Sequence, residues 1–95
     1  MITIGIFELT GNFAENKDVA KEIRLNTLIP AIEKGGEVII DFNGVESATQ
    51  SFIHALISDV IRKYSIGVLD RIYFRNCSGT VKKIINIVIE YMQQN

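Results

Sequence analysis

Ser51 and His54 stand three residues apart in a stretch whose apolar spacing is helical, so their side chains can be neighbours on one helix surface. A serine beside a histidine is the beginning of nucleophilic catalysis, in which the imidazole takes the hydroxyl proton. The surrounding residues do not complete that chemistry. No glycines flank Ser51 in a nucleophile elbow, and the nearest acids, Asp41 and Asp59, have no evident orienting role. His54 therefore reads as a surface residue or as part of a contact surface. One histidine and one distant cysteine, Cys77, cannot build a structural zinc site, and Asp41 with Glu46 is a thin basis for holding a hard cation. The chain has no GxxxxGK[ST] or GxGxxG phosphate loop, and Gly35-Gly36 precedes a strand pattern, so it reads as a helix stop. The expectation is no catalytic centre, no metal and no cofactor.

A different kind of site survives. Thr49-Gln50-Ser51 lies between an apolar strand pattern and the start of the clearest amphipathic helix. On the helical wheel Ser51 falls on the polar side with Ala55, Ser58 and Arg62, so its hydroxyl is expected near the surface at the positive end of a helix. A phosphate on that hydroxyl would add a charge of about −1.5 to −2, which a facing protein would feel. The competing reading is that Thr49 or Ser51 is simply the N-cap, contributing about 1 kcal/mol. Residue chemistry alone favours the cap. Further on, Arg75, Lys82 and Lys83 lie near the start of the last helix and could meet phosphates there.

The elements that position these residues follow from spacing. Ile2 to Phe7 is β-branched and apolar, and reads as a strand. Thr10-Gly11-Asn12 is turn chemistry, after which Phe13-Ala14 either returns as a strand or packs on the core. Asn16 is an N-cap type before a helix with Val19, Ala20 and Ile23 inward. The register slips near Asn26-Thr27 and Pro30 removes a donor, which predicts a break or kink before a second helical piece ending before Gly35-Gly36. Glu37 to Phe42 holds a continuous apolar run, expected to be a central strand covered on both faces. Ser51 to Tyr64 is helical, with Phe52, Ile53, Leu56, Ile57, Val60, Ile61 and Tyr64 on one half of the wheel. Arg71 to Arg75 is a strand. Ser78 or Thr80 caps a last helix whose inner stripe is Val81, Ile84, Ile85, Val88 and Met92, with Ile87 off the stripe. Strand and helix alternate three times, which argues for a mainly parallel sheet with right-handed crossovers.

At 95 residues the chain is read as one domain, 1–95, with room for one core and little enclosed space. Apolar residues make up 47% and charged residues 22%, an ordinary globular balance. The net charge of −1 gives no pull towards nucleic acid or an anionic membrane. It is unevenly spread, however, with six basic residues and one acid, Asp70, between Arg62 and Lys83. A single cysteine suits a reducing compartment, no apolar run is long enough to cross a membrane, and Met1 runs straight into a strand pattern, so the chain is expected to be cytoplasmic.

The stretch Val38 to Phe52, reading VIIDFNGVESATQSF, resembles the hallmark of the STAS-like family of unknown function. So do Tyr73-Phe74-Arg75-Asn76-Cys77-Ser78 with Val81-Lys82, and the segment from Asn16 to Gly35. The resemblance implies an α/β fold with a small, mainly parallel or mixed sheet and alternating helices packed largely on one side. That family is similar to anti-sigma-factor antagonists, non-enzymatic switches that bind a histidine-kinase-like ATPase. The ATPase phosphorylates a serine opening a helix, within the motif Asp-Ser-Ser-Gly, and so releases the complex. Laid on this chain the target serine falls on Ser51, while Thr49, Gln50 and Phe52 replace the aspartate, the first serine and the glycine. The resemblance thus implies a regulatory protein-interaction module. Its partner surface would comprise Ala48, Thr49, Gln50, Ser51, His54, Ala55, Ser58, Asp59 and Arg62, with Ser51 as the phospho-acceptor. Two other expectations stand beside it: a nucleotide or small-ligand sensor using Arg75, Lys82 and Lys83, and a structural subunit that homo-oligomerises through an exposed sheet edge or the last helix. The chain is expected to be a monomer or a homodimer.

Overall fold

Backbone hydrogen bonds, more than side-chain type, decide where the first strand stops. The computed structural model describes residues 1–94. Strand β1 (Ile2–Gly5) is shorter than the run to Phe7 suggests. The Ile6 amide makes the last rung to the Asp41 carbonyl at 2.9 Å, and the Ile6 carbonyl then accepts the Leu9 and Thr10 amides. That turns the chain into one helical turn, α1 (Phe7–Thr10), with the Thr10 hydroxyl donating to the same carbonyl at 3.1 Å. After Gly11 the chain extends again as β2 (Phe13–Ala14).

Asn16 caps α2 (Lys17–Ile23), its side-chain oxygen accepting the Asp18 amide at 2.9 Å and the Val19 amide at 3.4 Å. The expected break at Asn26-Thr27 takes a specific form. Residues Arg24–Leu28 form a π-helical turn that leads without interruption into α3 (Ile29–Glu33). The wider turn fits a proline at the second position of α3, because Pro30 has no N–H to offer the preceding turn. The helix ends as expected before Gly35, at φ +81°.

Strand β3 (Val38–Asp41) lies between β1 and β5 (Ile72–Arg75), and all three are parallel. One face of this sheet carries Ile4, Val38, Ile40 and Ile72, all buried. Helices α2 and α3, with α4 (Gln50–Tyr64) and α5 (Gly79–Gln93), pack on that face. The opposite face carries Thr3, Ile39 and Tyr73 in one row and Gly5, Asp41 and Arg75 in the next, all exposed or half-buried. The expectation that Val38 to Ile40 would be covered on both faces is thus corrected. Ile39 remains half-buried because no described helix crosses its side.

The core is built from Phe42, Phe52, Leu28, Ile6, Leu56 and their neighbours, each with no exposed surface. Burial of each such side chain contributes roughly 1.5–3 kcal/mol. A 3₁₀ segment (Ile66–Arg71) leads into β5, and Arg71 ties it down by donating to the carbonyls of Ile32 (2.6 Å) and Gly36 (2.9 and 3.2 Å). Ser78, one of the two expected caps, caps α5 by accepting the Val81 amide at 3.1 Å. Its hydroxyl also donates to the Glu46 carbonyl at 2.9 Å, joining the loops after β3 and β5. Among the described residues no helix is long and apolar enough to cross a membrane.

Candidate functional site

The chain between β3 and α4 is held by a second, two-stranded ladder. Asn43-Gly44 turns the chain, with Gly44 at φ +90° and the Phe7 ring lying where a Cβ at this position would project. The strand β4 (Ser47–Ala48) then pairs in parallel with β2, Ala48 opposite Ala14. The Thr49 amide extends this ladder to the Ala14 carbonyl at 2.9 Å. Helix α4 therefore starts from a point fixed by backbone bonds.

Thr49 is the N-cap. Its backbone is extended, at φ −85° and ψ 155°, and its hydroxyl accepts the Phe52 amide at 3.0 Å. This resolves the two capping alternatives, because Ser51 does not cap. Ser51 occupies the second helical position, is exposed, and its hydroxyl makes no hydrogen bond to another described residue. Phe52, where the resembling motif has glycine, points wholly into the core and leaves the surface around Ser51 unobstructed. Ser51 shares a shallow recess of about 460 Å³ with Lys17, Gln50, His54 and Ala55, in the furrow between the starts of α2 and α4.

Further along α4, Asp59 is gripped from two sides. Arg62 reaches one carboxylate oxygen at 3.0 Å and Arg24 the other at 3.2 Å. The same Arg24 nitrogen donates to the Ala55 carbonyl at 2.7 Å. The Arg24 side chain is only 11% exposed, and it pins the π-helical turn to the middle of α4. Sequence reasoning missed Arg24. The register slip beside it marked the irregular turn, but not the helix it reaches.

Two members of the expected contact surface do not belong to it. Ala48 is 5% exposed, because the short ladder turns Ser47 outward and Ala48, with its partner Ala14, into the core. Ser58 is 3% exposed. It lies on the α4 line of His54 and Arg62, and the end of α5 runs along that line. The Tyr91 ring sits 6.1 Å from the His54 ring, and Tyr91 and Arg62 line a common recess. Gln50, Ser51, Asp59 and Arg62 are exposed, and Thr49, His54 and Ala55 are half-buried.

The three cations near the last helix do not converge. Arg75 lies over the Tyr73 ring, 5.2 Å from its centroid, on the open face of the sheet. Lys82 lines a recess between β5 and α5, and Lys83, about 100° further round the helix, does not. At the end of β3, Asp41 accepts from the Asn76 side chain at 3.0 Å and from the Asn43 amide at 2.9 Å, and these bonds hold its carboxyl below the usual range.

A family profile described as "STAS-like domain of unknown function (DUF4325)" covers residues 19–82, from within α2 to the first turn of α5, including all of α4. No curated protein and no solved structure matches the chain.

Proposed function

The chain belongs to the family of STAS-like domains of unknown function, and from that membership we propose that it is a non-enzymatic regulatory module that docks a histidine-kinase-like ATPase through the exposed start of α4. The observation that carries this reading is the division of labour at the helix start. Thr49 takes the capping bond, so the Ser51 hydroxyl has no structural duty and faces solvent. A phosphate there would sit at the positive end of a helix, with the exposed Lys17 across the same recess. The module would tolerate the modification while a docked partner would meet a new dianion.

The contact surface is Gln50, Ser51, His54, Ala55, Asp59 and Arg62, with Thr49 as its structural support. Arg24 keeps Asp59 and the middle of α4 in place relative to α2. The test is direct binding of the purified chain to a histidine-kinase-like ATPase, with and without ATP, using Ser51→Ala, Ser51→Glu and Arg62→Glu variants. Binding that is indifferent to both charge changes would remove the assignment.

A further inference from the structure

β5 forms one edge of the three-stranded sheet. The Phe42 amide bonds to the Arg75 carbonyl at 2.9 Å, and in a parallel ladder alternate residues turn their backbone groups to the same neighbour. Tyr73 and Arg75 therefore face β3. Phe74 turns its N–H and C=O outward, where no described strand receives them. The other edge, β1, is equally unpaired, but three features favour β5.

The first is a recess of about 350 Å³ beside the edge, between β5 and α5. Its walls are Phe74, Cys77, Ile85 and Ile89, and Asn76, Lys82 and Asn86 complete it. Burial pushes the Cys77 thiol above its ordinary range, in keeping with a partly water-excluded wall. The second is charge. From Arg71 to Ile89 the chain has four cations and no acid, although its net charge is −1. Arg71 is committed to the backbone carbonyls of Ile32 and Gly36, but Arg75, Lys82 and Lys83 are exposed and form no salt bridge among the described residues. The third is alternation. Phe74 faces the helices and Arg75 the open face, so an added strand would send successive side chains to the recess and to Arg75 in turn.

We infer that the outer edge of β5 receives an extended acidic segment of a partner protein, added as a fourth strand, with an apolar side chain in the Phe74–Ile89 recess and carboxylates towards Arg75 and Lys82. Main-chain bonds to Phe74 supply the pairing, and the recess and the cations select the sequence. A second copy of this chain is a poor occupant, because the same cations would face each other across the joint edge. This surface is separate from the start of α4 and does not depend on the role of Ser51.

The experiment titrates isotope-labelled protein with a capped synthetic peptide alternating Glu and Val, followed by amide resonances. The expected result is shifts at Phe74, Cys77 and Lys82, slowed exchange of the Phe74 amide, and roughly tenfold weaker binding in the Arg75→Glu/Lys82→Glu double variant. Both substitutions are at exposed positions, so the variant is expected to keep its fold. A Lys–Val peptide should not bind, and backbone N-methylation of the acidic peptide should abolish binding. Absence of shifts at β5, equal binding of the Lys–Val or N-methylated peptide, or shifts confined to β1 would overturn the inference. So would concentration-dependent β5 shifts without peptide, which would assign the edge to a second copy.

Discussion

The Thr49 hydroxyl accepts the Phe52 amide at 3.0 Å, and this bond releases the hydroxyl two residues later in the chain, that of Ser51, from any part in starting α4. Two hydroxyl residues of similar chemistry, separated by one residue, thus have separable roles. Thr49→Ala should cost about 1 kcal/mol of stability. Ser51→Ala should stay within about 0.5 kcal/mol of the parent. Urea unfolding of the two variants measures both, and a larger loss for Ser51→Ala would reverse the assignment.

Arg24 and Asp59 form a pair whose members are unequal. Arg24 is 11% exposed and bonds the Ala55 carbonyl, whereas the Asp59 side chain is 51% exposed. Arg24→Ala should destabilise by about 1–3 kcal/mol, through lost packing and the loss of its charge-assisted bond to the Ala55 carbonyl. Asp59→Ala should cost less than about 1 kcal/mol, as exposed ion pairs do. Arg24→Met, which keeps the stem packed, should fall between the two in denaturant midpoints.

The chain reversal before β4 depends on Gly44. An alanine there would need φ +90° and would bring its Cβ to 2.9 Å from the Phe7 ring. The ring is 43% exposed and can move, so the backbone conformation sets the cost, about 1–2 kcal/mol. Gly67→Ala, with nothing within 4 Å of its Cβ and no positive φ, should be neutral or slightly stabilising. Thermal unfolding of the two variants side by side checks the contrast.

Glu33 joins α3 to the end of α4. The Lys63 ammonium at 3.1 Å and the Tyr64 hydroxyl at 3.1 Å hydrogen-bond its carboxylate and hold its pKa below 4.5. The folded value lies below the unfolded one, so this contribution is present above the unfolded pKa and is lost as pH falls through the folded pKa. Denaturant midpoints measured from neutral pH downward should show a small loss below about pH 4.5 that is flattened in Lys63→Ala. An unchanged acid limb in that variant would contradict the pairing.

Much of the fold is legible from spacing alone. The Asn16 cap, the apolar run at Val38 and the long stripe from Phe52 to Ile61 each announce their element, because enough residues share one period. The exposed face of Ser51 follows from the same wheel. Failures occur where a single element cannot report its neighbours. Ser58 sits on the polar line of its own helix, and only the position of α5 buries it. Ala48 belongs to a two-residue strand, too short to show alternation. The helical turn at Phe7–Thr10 arises from the Ile6 carbonyl accepting two backbone amides and the Thr10 hydroxyl, which no propensity records. Arg24 becomes an organising residue only when the π-helical turn brings it against Ala55 and Asp59, 31 and 35 residues away in the chain.

The most direct measurement is the affinity of the purified chain for a histidine-kinase-like ATPase, compared for the parent, Ser51→Ala and Ser51→Glu by titration calorimetry. A docking face centred on an exposed, non-capping hydroxyl predicts that the parent and Ser51→Ala bind alike and that Ser51→Glu binds at least about tenfold more weakly. Equal affinity for all three proteins, or a parent chain that does not bind at all, would contradict it.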